Sequence, residues 1–333
     1  MDTRLALPLE DRWESPEDFL YGLTEEVWDQ RRVDTLMEHS SEALIHRSAE
    51  TVLRGNGRLA AAILGQMAEF PGLEQLTEDV IWCQTAALEG AGQRGFIGAQ
   101  RMIAQGHHGG SGVFGSASGK PVCFRTLAEY WCANGAIFDA WVVTDRAAAL
   151  RQIGQDPRDW VQAKLAQADA RGVLPQPLTP DTEIDGPYSG TGSSNDTTDQ
   201  VAGYLEEVMA GDLSVVPRNL DRAAALAYPG GETGLGPRTA EAFWLGLRSA
   251  FPSAAFRIDH RIGRMERNRP PRAAIRWSLY GRHDGWGRFD EPSGAYVYVM
   301  GMTHAEIGPR GITREWTLID DAAVWTQIEL SIG

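Results

Sequence analysis

The chain has 333 residues, with 31 Lys and Arg against 45 Asp and Glu and a formal charge of −14. That balance opposes binding to a phosphate backbone, which takes clustered basic side chains, so no nucleic-acid partner is expected. No run approaches the roughly eighteen apolar residues of a membrane span, and the first residues show no apolar core behind a basic start, which predicts a cytoplasmic protein without a membrane partner.

Residues 19–29 carry apolar side chains at spacings of three and four, the pattern of a helix laid on a core, and residues 58–70 repeat it. Cys83, Cys123 and Cys132 are an odd number at unpatterned spacing, which suits free thiols in a reducing compartment and offers neither a disulfide framework nor a zinc site. Residues 155–172 read as a polar helix. The stretch 173–200 is rich in Pro, Gly, Ser, Thr and Asp and has too little apolar content to pack alone. It is either a flexible linker or a lid over one pocket anchored by Tyr188. Helical patterning returns at 201–210 and 238–251. In 273–283, Ala273, Ile275, Trp277 and Leu279 alternate with Ala274, Arg276, Ser278 and Tyr280, a strand period of two. Further strands are expected at 296–307 and 312–319, after turns at Pro292-Ser293-Gly294 and Gly308-Pro309-Arg310-Gly311. Helices first and antiparallel strands afterwards predict an α+β class.

The same passage is written twice. Residues 106–152 align without a gap on 281–327 at an offset of 175, with fourteen of forty-seven pairs identical. Composition alone would give about three, so the halves read as copies of one module. Identical pairs include His108 with His283, Gly110 with Gly285, Phe114 with Phe289, Trp141 with Trp316, and Asp145 with Asp320. Upstream the copies correspond at an offset of 181, as in Gly65 with Gly246 and Phe70-Pro71 with Phe251-Pro252. The division that follows is a first module over 15–153, a connector over 154–200 and a second module over 201–331.

These residues resemble the SnoaL-like polyketide cyclases, within the nuclear transport factor 2 and ketosteroid isomerase-like superfamily. The resemblance rests on a strand ending Gly281-Arg282-His283-Asp284-Gly285, a Ser-Gly turn, Gly311-Ile312, the span from Trp316 to Asp320, and Gln327. The first copy carries Gly135 to Ile137, Trp141 to Asp145 and Gln152. The resemblance implies two tandem cones, each a curved antiparallel sheet wrapped around N-terminal helices with a ligand pocket in the open end. It further implies pairing through the sheets, hence an internal pseudo-dimer or a further homodimer. The implied chemistry is an intramolecular aldol closure without metal or organic cofactor, in which an Asp on the last strand is the acid/base; the matching positions are Asp145 and Asp320. The chain departs from the family where an acidic residue two before the Trp is kept as Asp139 but becomes Arg314, and where His46 aligns with Ala227. The two pockets are therefore expected to do different work.

An aldol closure needs a base near an acidic C–H and a donor at the developing enolate oxygen. Burial against tryptophan raises a carboxyl pKa towards neutrality and suits it to that role. Alternation places Ile312, Arg314, Trp316, Leu318 and Asp320 on one face, so Arg314 is a candidate to hold a substrate oxyanion with Asp320 as base. Asp145 and Asp320 each precede helical patterning, and capping that helix is an equally open reading. Candidate pocket residues are His46, His108, Tyr130, Trp141, His283, His304, Arg314 and Trp316, with a turn-shaping role as the alternative for His108 and His283. Gly110-Ser111-Gly112-Val113-Phe114-Gly115 matches a dinucleotide fingerprint only as a string, because no helix pattern follows and Asp290 replaces the last Gly in the second copy. With no His-Glu-x-x-His and no Cys-x-x-Cys, neither metal nor cofactor is expected. The reading is a cofactor-independent cyclase, isomerase or hydratase acting on a small or medium apolar, carbonyl-bearing substrate. The alternative is a non-catalytic small-molecule binder or a structural pseudo-dimer.

Overall fold

The computed structural model describes residues 12–85 and 95–332. The reading of the first residues as carrying no leader falls on 1–11, outside the described set. The chain divides into two compact units. One takes the described residues up to Arg47, then Val52–Val142 and Ile184–Gly192; the other takes Ser48–Thr51, Val143–Glu183 and the residues from Ser193 onward.

The first module opens with α1 (Pro16–Trp28), whose start is fixed by the Ser15 side chain accepting from Asp18 N and by Pro at the first turn. It continues through α2 (Val33–Glu38), β1 (Ser40–Ser48), β2 (Val52–Arg54), α3 (Asn56–Glu69), β3 (Glu74–Thr85), β4 (Gly95–His107), β5 (Pro121–Ala133) and β6 (Ala136–Thr144). The six strands form one sheet in the order β2-β1-β6-β5-β4-β3. One face of it takes the helices: a Cβ on Gly98 would stand 2.5 Å from Leu20 of α1, and Phe124 packs on Phe70 at the end of α3, ring centroids 6.2 Å apart.

The second unit begins with α4 (Arg146–Ile153) and α5 (Pro157–Ala170), then α6 (Asp196–Met209), α7 (Val216–Asn219), β7 (Leu220–Tyr228), β8 (Glu232–Leu235), α8 (Pro237–Ala250), β9 (Ala255–Arg264), β10 (Arg272–Arg282), β11 (Tyr296–Gly308), β12 (Gly311–Ile319) and α9 (Asp321–Ile332). Its sheet has the same order, β8-β7-β12-β11-β10-β9. The fold is therefore the expected α+β tandem of six-stranded sheets with helices. The sheets are not wholly antiparallel, because β7 joins β12 in parallel. Strands β1 and β7 and the short β2 and β8 that turn back on them escape sequence reading, since their alternation is brief and Ala-rich in the second copy.

No helix among the described residues is long and apolar enough to cross a membrane. All three cysteines are free, Cys132 buried and Cys123 exposed. The connector is ordered in two parts: the polar helix is α5, and residues 184–192 lie with the first unit. There Arg47 donates to Ile184 O at 2.6 Å and Tyr188 N donates to Asp139 Oδ2 at 2.9 Å. The Tyr188 ring stacks on Trp131 at 6.0 Å. Tyr188 is thus an anchor, but Trp131 alternates with Tyr130, which pairs with Gly98 on the helix side. The segment therefore covers the sheet face away from the helices.

Candidate functional site

The helix-side face of the second module's sheet holds a polar cluster sealed by aromatic rings. Strand β12 turns Glu315 and Thr317 inward, β11 turns Thr303 inward, and β10 turns Trp277 inward, all less than 1% exposed. From the helices come Tyr204 on α6 and Phe243 and Trp244 on α8, while Tyr228 ends β7. Tyr228 stacks on Phe243 at 4.3 Å, Tyr204 meets Trp244 edge-on at 6.4 Å, and Trp244 packs on Trp277 at 5.8 Å. Room for the Trp277 indole exists because its cross-strand partner is Gly301, where a Cβ would lie 2.2 Å from the ring.

The hydrogen bonds in this cluster have a fixed direction. Tyr228 OH donates to Glu315 Oε1 at 3.0 Å, and Thr317 Oγ1 donates to the same oxygen at 2.9 Å. Thr303 and Thr317 hydroxyls are 2.9 Å apart, and Trp277 Nε1 donates to Thr303 at 3.0 Å. Since the Thr317 proton is committed to Glu315, Thr303 must donate to Thr317, and the chain runs Trp277 to Thr303 to Thr317 to Glu315. Three buried polar atoms remain without a well-formed hydrogen bond among the described residues: Glu315 Oε2, Tyr204 Oη and Trp244 Nε1. The Tyr204 hydroxyl still acts on Glu315, and the Trp244 N–H on Tyr204, so the three atoms belong to one polar cluster whose bonding is incomplete. Burial pushes the Glu315 carboxyl up to about 7, opposed by hydrogen bonds from Thr317, Tyr228 and Tyr204. Burial likewise drives the Tyr204 and Tyr228 hydroxyls well above their ordinary range, with Glu315 adding to the effect, so both are neutral donors.

The expected site residues fall elsewhere. Asp145 caps α4, accepting from Ala148 N at 3.0 Å, and also accepts from Gly230 N at 2.8 Å and Gly231 N at 2.9 Å. Burial raises its carboxyl to about 6. Asp320 accepts from Ala322 N and Ala323 N at the start of α9 and from Arg146 Nε at 2.7 Å. Burial raises it too, against the pull of Arg146. Arg146 also pairs with Glu50 at 2.7 Å. Burial alone would raise Glu50, but Arg146 and Lys164 hold it at about 2.

Arg314 does not share a pocket with Asp320. A register shift between Glu306 and Ile307 takes Ile312 out of the alternation, and although pairing runs unbroken from Arg314 to Ile319, Arg314 is largely exposed and reaches Glu306 at 3.8 Å while Asp320 is buried against Arg146. His304 pairs with Trp316, and both alternate with Thr303, Glu315 and Thr317, so they lie on the face away from the helices. Trp141 lies in the first unit under the Arg47 guanidinium at 4.6 Å. His108 and His283 shape equivalent turns: each ring Nδ1 faces a serine hydroxyl, Ser118 at 3.1 Å and Ser293 at 3.0 Å, and each packs on a phenylalanine, Phe70 or Phe251.

In the first module, His46 and Tyr130 do face the helices. Tyr130 pairs with Gly98, and His46 alternates with Arg47, which bonds Asp139 at 2.8 Å. Burial lowers His46 to about 4 and raises the Tyr130 hydroxyl. The structural counterpart of His46 is Leu226 rather than Ala227. Gly55 N bonds Leu44 O as Gly236 N bonds Ala224 O, an offset of 180 in this strand. Leu226 pairs with Glu315. At the offset of 175, Ala140, Val142, Ala128 and Met102 replace Glu315, Thr317, Thr303 and Trp277, so the first module lacks the polar cluster.

Sequence reading missed Glu315 although it lies beside Trp316. The missed signal was parity: the acidic residue sits one position before the Trp instead of two, which turns it to the opposite face. Among the described residues no group of three or more His, Cys, Asp or Glu is placed to hold a metal ion.

Residues 19–153 match the model of a family described as SnoaL-like polyketide cyclase. No curated protein matches the chain. Similar solved structures include a protein assigned as a SnoaL-like polyketide cyclase from Jannaschia sp. CCS1, 19% identical, covering 41% of this chain and 96% of that one, with a TM-score of 0.34. AclR from Streptomyces galilaeus, assigned as a hydroxylase, is 16% identical over 46% of this chain and 92% of its own, TM-score 0.35. TsrD from Streptomyces laurentii is 18% identical over 41% of this chain and 95% of its own, TM-score 0.33.

Proposed function

From a chain whose first module, residues 19–153, belongs to the SnoaL-like polyketide cyclases, we propose that the second module is the working enzyme. It performs cofactor-independent acid/base chemistry, of the cyclase or isomerase kind, on an apolar substrate bearing an enolisable carbonyl. Glu315 is the base. The observation that carries this reading is its geometry: a fully buried carboxylate whose Oε1 accepts two hydrogen bonds while Oε2 accepts no well-formed one. Its pKa near 7 leaves a usable fraction of carboxylate at neutral pH and makes its conjugate acid a competent donor.

In this mechanism Oε2 takes the proton from the carbon next to the carbonyl, and the electron pair moves onto the carbonyl oxygen. The Tyr204 hydroxyl, which makes no well-formed hydrogen bond, and the Trp244 N–H beside it supply donors for that oxygen. The enolate carbon then attacks a second carbonyl of the same molecule or is reprotonated at another position, and Glu315 returns its proton. Asp145 and Asp320 act as helix caps in this reading.

The test is solvent deuterium exchange. A panel of apolar 1,3-dicarbonyl compounds is followed by NMR in D2O with the wild type, Glu315→Gln and Asp145→Asn. Glu315→Gln should slow exchange by about a hundredfold or more, the scale of a lost general base, and Asp145→Asn by far less. Catalysed exchange that survives in Glu315→Gln would refute the assignment.

A further inference from the structure

Both lone-pair positions of Glu315 Oε1 are filled by hydroxyl protons, from Tyr228 and from Thr317. A proton that arrives on the carboxylate therefore has one place to sit, Oε2. Thr317 could in principle turn its proton towards Thr303, which would empty one position on Oε1. Thr303 prevents this. The Trp277 N–H fills one acceptor position of the Thr303 hydroxyl, and accepting from Thr317 as well would leave the buried Thr303 proton with no acceptor among its partners, so that proton goes to Thr317 and the Thr317 proton faces Glu315. The indole N–H is a donor that cannot reverse, and it sets the direction of every bond after it. All four side chains are buried, where such directed bonds strengthen one another.

We propose that Thr303 and Thr317 are positioning residues that carry the polarity of the Trp277 N–H to Glu315, and so decide that Oε2 is the oxygen that exchanges a proton with the ligand. This rests on Glu315 being the base, but the relay also sets the ionisation of Glu315 whether or not the protein turns anything over. The titratable groups that face this carboxyl are Tyr228 from β7 and Tyr204 from α6. Both stay neutral across the range concerned, so a change in the Glu315 midpoint reports on the hydroxyl relay itself.

The measurement is the infrared band of the protonated Glu315 carboxyl, isolated by subtracting the Glu315→Gln spectrum and titrated from pH 4 to 9 on the full chain. Thr317→Val removes a donor to the carboxylate and should move the midpoint up by about one pH unit, the worth of one hydrogen bond to a charge. Thr303→Val should move it the same way by less, and Thr317→Ser and Thr303→Ser should restore the wild-type midpoint. Should Thr317→Val fail to fold, the Thr303 pair decides alone. Midpoints that stay put in the valine variants, or that shift equally in valine and serine variants, overturn the relay. Midpoints that shift as described while no exchange depends on Glu315 leave the relay standing and remove the catalytic reading.

Discussion

Replacing Glu315 with Gln should change how stability depends on pH, by an amount that follows from the burial of this one group. An ordinary glutamate titrates at 4.5 and Glu315 at about 7, a gap worth about 3 kcal/mol between the two protonation states. The folded carboxyl has the higher pKa, so between those values the native state binds more protons than the unfolded chain. The contribution of Glu315 to wild-type stability must then fall as pH rises from about 4.5 to about 7, with the whole cost present above that window. Gln cannot ionise, so the variant escapes the fall. Its amide replaces the orphaned Oε2 and carries a cost of its own, but that cost does not depend on pH. The quantity to compare is the stability of the variant minus that of the wild type, which should rise by about 3 kcal/mol between pH 4 and pH 8. Asp145 and Asp320, whose carboxyls burial also raises, titrate in both proteins and drop out of the difference. Urea unfolding followed by tryptophan fluorescence at five pH values supplies the numbers. A difference that stays within about 1 kcal/mol across the range would mean that Glu315 is solvated in solution, and the proposed base would lose its physical basis.

Arg146→Met leaves the buried Asp320 carboxylate without its cation and should destabilise the protein by about 3–5 kcal/mol in thermal or urea unfolding, with more than about 1 kcal/mol recovered on adding Asp320→Asn. No recovery in the double variant would place the cost in lost packing over Trp160 instead. Gly186→Ala puts a Cβ 1.9 Å from Asp139 Oδ1 and should lift residues 184–192 off the first sheet. Limited proteolysis would show this as cleavage in that segment at least about tenfold faster than in the wild type, since access follows local opening. An unchanged rate would mean that the Arg47, Asp139 and Tyr188 contacts do not hold the segment.

The tandem, the α+β class and the main helices were legible because each rests on periodicity or on repeated residues. The segments 19–29, 58–70, 201–210 and 238–251 all fall on α1, α3, α6 and α8. The proposed site was not legible, for two physical reasons. A strand's side chains change face with every residue, so an error of one position exchanges inside for outside. Arg314 and Trp316 were placed together as pocket residues, yet Trp316 and its partner His304 lie on the face away from the helices, and Glu315 was passed over between Arg314 and Trp316. The second reason is that the cluster draws on six elements, α6, β7, α8, β10, β11 and β12. Tyr204 and Glu315 stand more than a hundred positions apart in the sequence, and no local pattern joins them.

Duplication explains why identity between the copies pointed away from the proposed site. Where both modules need the same scaffold, the same residue survives in both. His108 and His283 fix equivalent turns onto Phe70 and Phe251. Gly110 and Gly285 each leave room for a backbone carbonyl, of Ala68 and Ser249, that a Cβ would strike at 2.0 and 1.9 Å. Asp145 and Asp320 each accept from backbone N–H groups at the start of a helix. Where the modules differ, they differ in matched sets that conserve volume across neighbouring strands. Trp277 opposite Gly301 in one sheet becomes Met102 opposite Thr126 in the other, and the pair Ala305 and Glu315 becomes Tyr130 and Ala140. Compensated exchanges of this kind keep the interior filled while removing every member of the polar chain at once. A carboxylate left in the first module without its threonines and tyrosines would be an unpaired buried charge. Losing the whole set together therefore costs the fold less than losing part of it.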